Sequence, residues 1–197
     1  MQRTELTEDL FEGHIEIQHG DGWMKPWRLP YAQRALFPSP DDGLLGRAET
    51  TSGVRLRLAT ASQTIRLGFQ PLPASEPAAS RPGFCFDLTM DGELLATTSV
   101  LPEGTVAEFS DLPAHDKVVE IWLSQEVPVA ISSLESDEPC RPATDDRRRW
   151  VTYGSSLTHC VRAHSPARTW PAIVARRHGL HLTSLGFGGQ CHLDAMV

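Results

Sequence analysis

Residues 150–189, WVTYGSSLTHCVRAHSPARTWPAIVARRHGLHLTSLGFGG, decide the fold of the C-terminal part of the chain. Trp150–Tyr153 is typical of a short strand that ends in a glycine-serine turn. Residues 169–179 predict a helix, because Thr169 can cap its N-terminus, a proline lies in its first turn and a glycine ends it. Leu180–Leu185 predicts a second strand. Strand, helix and strand in this order predict one βαβ unit of a parallel sheet.

The stretch from Phe11 to about Leu134 has a different pattern, with short segments in which apolar and polar residues alternate. Trp23–Pro40 is rich in proline and predicts a structured loop. Pro71–Pro82 predicts a surface loop. The remaining segments predict about seven or eight antiparallel strands, and strands at this density favour a β-sandwich.

Two pairs of these segments predict hairpins. Phe84–Met90 and Glu93–Thr98 flank Asp91-Gly92, a dipeptide that supplies the positive φ angles of a type I′ turn. Val54–Thr60 and Thr64–Phe69 also alternate cleanly, and their short connection predicts a second hairpin.

The character of the sequence changes near Glu135, where a polar segment interrupted by prolines begins. Such a segment is typical of a domain boundary. We therefore predict a β-sandwich accessory domain over 1–140, a linker over 141–149 and the beginning of an α/β domain over 150–197.

Composition excludes several classes of function. The formal net charge of −7 disfavours a general nucleic-acid binder, which needs a basic face. The mainly apolar stretch Val118–Leu123 is too short for a membrane span, and the polar N-terminus lacks the apolar core of a signal peptide. The four cysteines show no CxxC spacing, so we expect reduced thiols in a cytoplasmic protein with no nucleic-acid or membrane partner.

Two serines, Ser155 and Ser156, directly follow the first strand of the βαβ unit. Open α/β folds place their sites at the carboxyl edge of the sheet, where these hydroxyls would be exposed, and Gly154 lets the chain turn there. The alternative is a serine that only caps a helix. Residues 186–189 (GFGG) predict either backbone N–H groups that face a reacting carbonyl or a plain tight turn.

Three segments, Tyr153–Thr158 (YGSSLT), Thr169–Ala172 (TWPA) and Ser184–Gly189 (SLGFGG), resemble the first two sequence blocks of the SGNH (GDSL-type) hydrolases. The chain looks like the two-domain kind, in which a jelly-roll β-sandwich precedes a flavodoxin-like α/β/α domain. The resemblance implies that the complete protein is a serine esterase, a lipase-like acylhydrolase or an acyltransferase. It implies a small-molecule ester or acyl donor as partner, and neither a metal nor an organic cofactor.

By position, the resemblance implies that Ser156 is the nucleophile and that its N–H is one oxyanion donor. The Gly189 N–H would be the second donor, and Gly154, Ser155 and Gly188 would belong to the surrounding pocket. Ser155 stands where the family motif has aspartate.

The resemblance also implies an asparagine donor in a third block and a C-terminal Asp-x-x-His that supplies the general base. The chain contains no asparagine, and both features should follow residue 197. A serine without its base loses about 10⁴-fold or more in rate. We therefore expect residues 1–197 alone to be nearly inactive.

Four further residues beside the motifs are candidates for the pocket: His159, Cys160, Cys191 and His192. The histidines could act as a local base, the alternative being surface or supporting histidines. Together the four could form a zinc site. Adjacent residues point in different directions, however, so we interpret the cysteines as thiols that line the pocket and predict no metal.

Tryptophans suggest a second hypothesis. Trp23 and Trp27 flank Pro26 and are candidates for a sugar-stacking platform, whereas Trp122 is predicted to lie in the core. On this alternative, the chain is a non-catalytic β-sandwich module that binds carbohydrate or a protein partner.

A single βαβ unit cannot bury both faces of its sheet. We expect an exposed sheet edge and four uncovered apolar residues, Ile173, Leu180, Leu182 and Leu185. Such surfaces favour self-association, so the sequence predicts a homo-oligomer or aggregation.

Overall fold

The computed structural model describes residues 1–35, 43–71, 83–194 and 197. Over these residues the chain forms two six-stranded sheets and a two-stranded sheet. The elements of the two large sheets, with one helix between them, are in chain order β1 (Gln2–Thr4), β2 (Phe11–Glu12), β3 (Glu16–Gly20), β4 (Trp23–Trp27), α1 (Gly43–Glu49), β5 (Arg55–Thr60), β6 (Ile65–Pro71), β7 (Phe84–Met90), β8 (Glu93–Val100), β9 (Val106–Phe109), β10 (Lys117–Trp122), β11 (Val129–Ser136) and β12 (Cys140–Pro142).

The strands of both large sheets are antiparallel. One sheet has the order β3-β4-β11-β6-β9, with β1 beside β11. The other has the order β12-β5-β10-β7-β8, with β2 beside β5. Short 3-10 turns lie at Glu8–Leu10, Tyr31–Gln33 and Pro166–Arg168.

The two sheets pack face to face around the main hydrophobic core. In β6, Ile65, Leu67 and Phe69 are buried, whereas Arg66 between them is exposed. The ring of Phe69 meets that of Phe86 in the other sheet, with centroids 4.8 Å apart. Alternate residues of facing sheets thus fill one core, as in other sandwiches, and the predicted β-sandwich is confirmed.

One predicted hairpin is confirmed and the other is wrong. Asp91 and Gly92 have φ angles of 51° and 85° and join β7 to β8, as a type I′ turn requires. By contrast, β5 and β6 lie in different sheets. Alternation identifies a half-buried strand but not its partner, so the pattern cannot separate a hairpin from a crossover between sheets.

The predicted loop over Trp23–Pro40 is wrong in its first part, because residues 23–27 form β4. Pro26 pairs with Ile17 of β3, whereas β11 pairs with β4 only at Met24. The missing N–H of Pro26 therefore costs no bond to β11. Residues 36–42 lie outside the described residues, and so do residues 72–82 of the predicted loop Pro71–Pro82.

The C-terminal residues form the predicted βαβ unit. Its elements are β13 (Arg148–Gly154), α2 (Ser156–His159), α3 (Trp170–Arg177) and β14 (Leu180–Gly186). The two strands are parallel. Thr169 caps α3, because its side chain accepts a hydrogen bond from the Ala172 N–H. The predicted order, a sandwich followed by a βαβ unit with parallel strands, is confirmed.

The sandwich covers one face of the two-stranded sheet. Trp122 of β10 packs with Ala172 and Ala175 of α3 and with Leu182 of β14. The expectation that Leu182 is uncovered is therefore wrong. On the opposite face of the sheet, Val151 is 57% exposed.

The outer edge of β14 is covered as well. The Phe187 N–H donates to Gly154 O at 2.8 Å, so carbonyls of even-numbered residues in β14 point away from β13. Arg55 Nη1 donates to Leu182 O at 3.0 Å, and Arg28 Nη1 donates to Gly186 O at 2.7 Å. The predicted exposed edge is wrong at β14, because arginines of the sandwich occupy its carbonyls. No helix of the described residues is long and apolar enough to cross a membrane.

Candidate active site

Both sequence motifs lie at the carboxyl edge of the parallel sheet. Strand β13 ends at Gly154, which pairs in register with Gly186 at the end of β14. Ser155 and Ser156 follow the first glycine, and the rest of the glycine turn follows the second. The parallel register therefore joins two motifs that are far apart in sequence, at the edge where α/β folds place their sites.

Ser156 is the first residue of α2, and its side chain is exposed. The first N–H groups of a helix have no intrahelical acceptor, so its backbone N–H is available. Within the described residues its hydroxyl has no hydrogen-bond partner. An exposed, uncommitted hydroxyl at this edge is accessible to a substrate.

The glycine turn packs directly beside the two serines. The Gly189 N–H donates to Ser155 Oγ at 3.0 Å. A Cβ added to Gly188 would lie 3.7 Å from Ser156 Cα. Gly189 has a φ of +77°, a conformation that favours glycine over every other residue.

Helix α2 sits so close to the strand ends that side chains are excluded there. A Cβ on Gly186 would lie 2.4 Å from the His159 backbone N, and one on Gly154 would lie 2.2 Å from Thr158 Oγ1. These glycines therefore allow the helix that begins at Ser156 to approach the end of β14.

His159 is fully buried, and its ring is committed to the protein. Its Nδ1 accepts a hydrogen bond from the Gly188 N–H at 3.2 Å, and its Nε2 lies 3.1 Å from both Gln125 O and Thr50 Oγ1. Burial, together with the nearby Arg28 charge, lowers the pKa of His159 to about 3. The ring is neutral at physiological pH, and it supports the glycine turn instead of facing the Ser156 hydroxyl.

The other pocket candidates have different surroundings. Cys160 has a φ of 55°, and its thiol donates to Leu157 O at 2.9 Å. Burial, and after it the contact with the thiol of Cys191, raises the pKa of the Tyr153 hydroxyl. His192 is exposed. All four cysteines of the chain are free thiols.

A cavity of about 580 Å³ opens beside the nucleophile candidate. Its lining includes Ser156, Leu157, Cys160, Val161 and Trp170. The Trp170 indole N–H donates to Leu157 O at 2.8 Å, which ties α3 to α2. The wall is mainly apolar, and such a cavity suits a hydrophobic acyl or alcohol group.

Within the described residues, one group of three possible metal ligands has donor atoms within 4.8 Å of each other: Glu12, Asp145 and His181. It lies at the start of the parallel strands, at the opposite end of the sheet from the glycine turn. Arg55 and Arg147 already bind Glu12 at 2.6 and 2.8 Å. Because guanidinium groups already occupy the oxygens of Glu12 and Asp145, we interpret the group as part of an ion-pair cluster.

The tryptophans differ from the predicted platform. Trp27 is buried, its ring stacks on Tyr31 at 4.6 Å, and its N–H donates to Gln18. It belongs to the core, so the two-tryptophan platform is wrong. Trp23 lines a separate surface cavity of about 500 Å³. Trp122 is buried as predicted.

Sequence reasoning missed the residues that surround the glycine turn from the sandwich. Arg28 is fully buried, and it donates to Ser184 O at 3.2 Å as well as to Gly186 O. Arg47 Nε donates to Gly188 O at 2.9 Å. No motif marks either arginine, because both contacts exist only in the folded chain.

Comparison with known proteins assigns the sandwich. A family model described as the SsfX3 N-terminal domain matches residues 10–128, more than half of the chain. The chain belongs to this family. No curated protein matches the sequence significantly.

Solved structures extend the similarity of this SsfX3 N-terminal-domain protein to the βαβ unit. The salicylyl-acyltransferase SsfX3 from a tetracycline biosynthetic pathway is 33% identical, with a TM-score of 0.83 over 95% of this chain and 54% of that one. A GDSL-like lipase from Bacteroides ovatus is 20% identical, with a TM-score of 0.68 over 92% of this chain and 55% of that one.

A third structure, an acetyl xylan esterase from Butyrivibrio proteoclasticus, is 13% identical, with a TM-score of 0.56 over 96% of this chain and 50% of that one. The last two likenesses concern the fold. The chain spans about half the length of each of these proteins. The match to the salicylyl-acyltransferase SsfX3 includes both the sandwich and the βαβ unit of this chain.

Proposed function

We propose that this chain carries the nucleophile and two oxyanion donors of an SGNH-type carboxylic ester hydrolase or acyltransferase. The observation that carries the proposal is the register of Gly154 with Gly186, which brings the exposed Ser156 beside the turn that contains Gly189. The similarity to an acyltransferase of known structure supports it.

In the proposed reaction, Ser156 Oγ attacks the ester carbonyl carbon. The N–H groups of Ser156 and Gly189 donate to the oxyanion as it forms, and such donors are worth about 10²–10³-fold each in rate. The alcohol leaves and an acyl-enzyme remains, which water or an acceptor alcohol then cleaves. The base that takes the serine proton is the histidine that the resemblance implies in the C-terminal part of the full protein. Residues 1–197 alone are then nearly inactive, and the reaction needs no cofactor.

A fluorophosphonate probe tests the nucleophile on the full-length protein. The probe forms a stable phosphonyl ester with an activated serine, and fluoride leaves. We expect labelling of the wild type, no labelling of Ser156→Ala and labelling of the control Ser99→Ala, which changes an exposed serine of β8 in the sandwich. Equal labelling of the wild type and Ser156→Ala would contradict the assignment.

Carbohydrate binding on the sandwich is the second candidate function. Trp23 lines the cavity of about 500 Å³ together with Arg3, Glu5 and His19, and an aromatic ring beside polar groups suits a sugar. A glycan array should show binding that Trp23→Ala abolishes and that Trp170→Ala, at an exposed tryptophan of the βαβ unit, retains. The same binding by both variants would exclude this site.

A further inference from the structure

Side chains from two different parts of the chain hold the peptide groups of Gly188. Arg47 lies in α1, before the sandwich strand β5, and its Nε donates to Gly188 O at 2.9 Å. The Gly188 N–H donates to His159 Nδ1 at 3.2 Å. Both backbone polar groups of Gly188 are therefore bound.

The carbonyl of Gly188 and the N–H of Gly189 belong to the same planar peptide unit and point in opposite directions. When Arg47 holds the oxygen on one side, the N–H must face the other side, where it lies 3.0 Å from Ser155 Oγ. The turn alone does not determine this direction, because Gly189 can adopt positive or negative φ at little cost.

A second arginine anchors the first. Arg28 Nη2 donates to Arg47 O, and its Nη1 donates to Gly186 O at 2.7 Å. Arg28 is fully buried, and within the described residues it binds neutral oxygens and no carboxylate. A buried guanidinium with neutral partners is costly, but its rigid fork of donors fixes the positions of the carbonyls that it binds.

We propose that Arg47 is a positioning residue, whose Nε–H holds the Gly188–Gly189 peptide so that the Gly189 N–H faces the serine turn, where it donates to Ser155 Oγ and where the oxyanion would take the place of that acceptor. The inference rests on the proposed function of Ser156 and Gly189. A rotated peptide would present its carbonyl oxygen to the oxyanion and replace attraction by repulsion. The sandwich side of the molecule then contributes to catalysis without contacting the substrate.

Steady-state hydrolysis of p-nitrophenyl acetate by the full-length protein tests the proposal. Arg47→Met keeps the apolar stem and removes the donor, whereas Arg47→Lys keeps the charge but has no donor at the Nε position. We expect kcat to fall about 10- to 100-fold in both variants, with KM changed less than twofold. The matched control is Arg66→Met, because Arg66 pairs with Glu108 on the exposed side of the sandwich and should leave kcat unchanged.

The outcomes separate this inference from the proposed function. Ser156→Ala measured in parallel must remove the activity; if it does not, the proposed function fails first. If activity depends on Ser156 and both Arg47 variants keep kcat within twofold of wild type, the positioning role is wrong. A loss in Arg47→Met alone would assign the effect to charge and would also overturn the hydrogen-bond role. If Arg47→Met does not fold, Arg47→Lys alone tests the role, and a kcat within twofold of wild type would then show that the positioning role is wrong.

Discussion

The sandwich contacts the two ends of the parallel sheet through arginines, and the two contacts differ in their acceptors. At the strand starts, arginines bind carboxylates in what we name the carboxylate cluster, which comprises Glu12, Arg55, Arg57, Glu120, Asp145, Arg147 and His181. At the carboxyl edge, Arg28 and Arg47 donate to backbone carbonyls, and His159 accepts from the Gly188 N–H; we name these three residues the carbonyl clamp.

This difference shows what each contact can do. In the carboxylate cluster three arginines face three acidic side chains, and attraction between charges tolerates small changes in geometry. In the carbonyl clamp no acid among the described residues neutralises Arg28, and its hydrogen bonds to carbonyls are directional. The cluster therefore stabilises the contact between sandwich and sheet, whereas the clamp also determines where the backbone of the glycine turn lies.

Removal of Arg28 should have the largest effect. Arg28→Met leaves the carbonyls of Arg47, Thr50, Ser184 and Gly186 without this donor. Because each unsatisfied buried acceptor costs about 1–3 kcal/mol, we expect the free energy of unfolding to fall by about 5 kcal/mol or more, measured by urea denaturation. Arg28→Lys should lose less, since an ammonium keeps up to three donors.

Arg147→Met is the matched change in the carboxylate cluster. It should cost about 3 kcal/mol, as for one partner of a buried pair, and leave the rate of ester hydrolysis per folded molecule unchanged. If Arg28→Met and Arg147→Met change the rate of ester hydrolysis per folded molecule equally, the carbonyl clamp and the carboxylate cluster do not differ in their effect on the site.

Acid should weaken the carbonyl clamp. Burial and the charge of Arg28 hold the pKa of His159 at about 3, whereas an unfolded histidine titrates near 6.5. Stability from the neutral ring is complete above pH 6.5 and is lost as pH falls toward 3. Between pH 6.5 and 4.5 the loss should be about 2.5 kcal/mol in the free energy of unfolding.

His159→Asn tests this origin of the acid sensitivity. The Asn side-chain oxygen can still accept from the Gly188 N–H, but the group does not titrate. Unfolding measured from pH 4.5 to 7.5 should then show a flatter curve for the variant. Parallel curves for the two proteins would assign the acid sensitivity to other groups.

The site was predictable from sequence where its contacts are local or follow from the register of a βαβ unit. Ser156 and Gly189 follow consecutive parallel strands, so a motif reading predicts that they meet at one edge. Nothing in Gly43–Glu49 marks Arg47, whose acceptor lies 141 residues further along the chain. The β5–β6 crossover was missed for the same reason, because alternation describes one strand and partner choice depends on the whole fold.

The carboxylate cluster should respond to pH in the opposite sense and more weakly. Burial raises the pKa of Glu12 to about 7, even though Arg55 lowers it. The native protein therefore keeps a proton that the unfolded chain releases near pH 4.5, and stability falls as pH rises through 7. Burial also lowers the pKa of His181, which adds stability as pH rises toward 6.5 and offsets part of the Glu12 effect.

Glu12→Gln separates these two titrations. The neutral amide removes the Glu12 term, so the free energy of unfolding of the variant, relative to wild type, should rise by about 2 kcal/mol from pH 5 to pH 8. His181→Gln removes the His181 titration. Below pH 6.5 the free energy of unfolding of this variant, relative to wild type, should therefore fall as pH rises. If the difference between Glu12→Gln and wild type is instead constant from pH 5 to pH 8, Glu12 is ionised in the folded protein throughout this range, and the cluster depends on its charge.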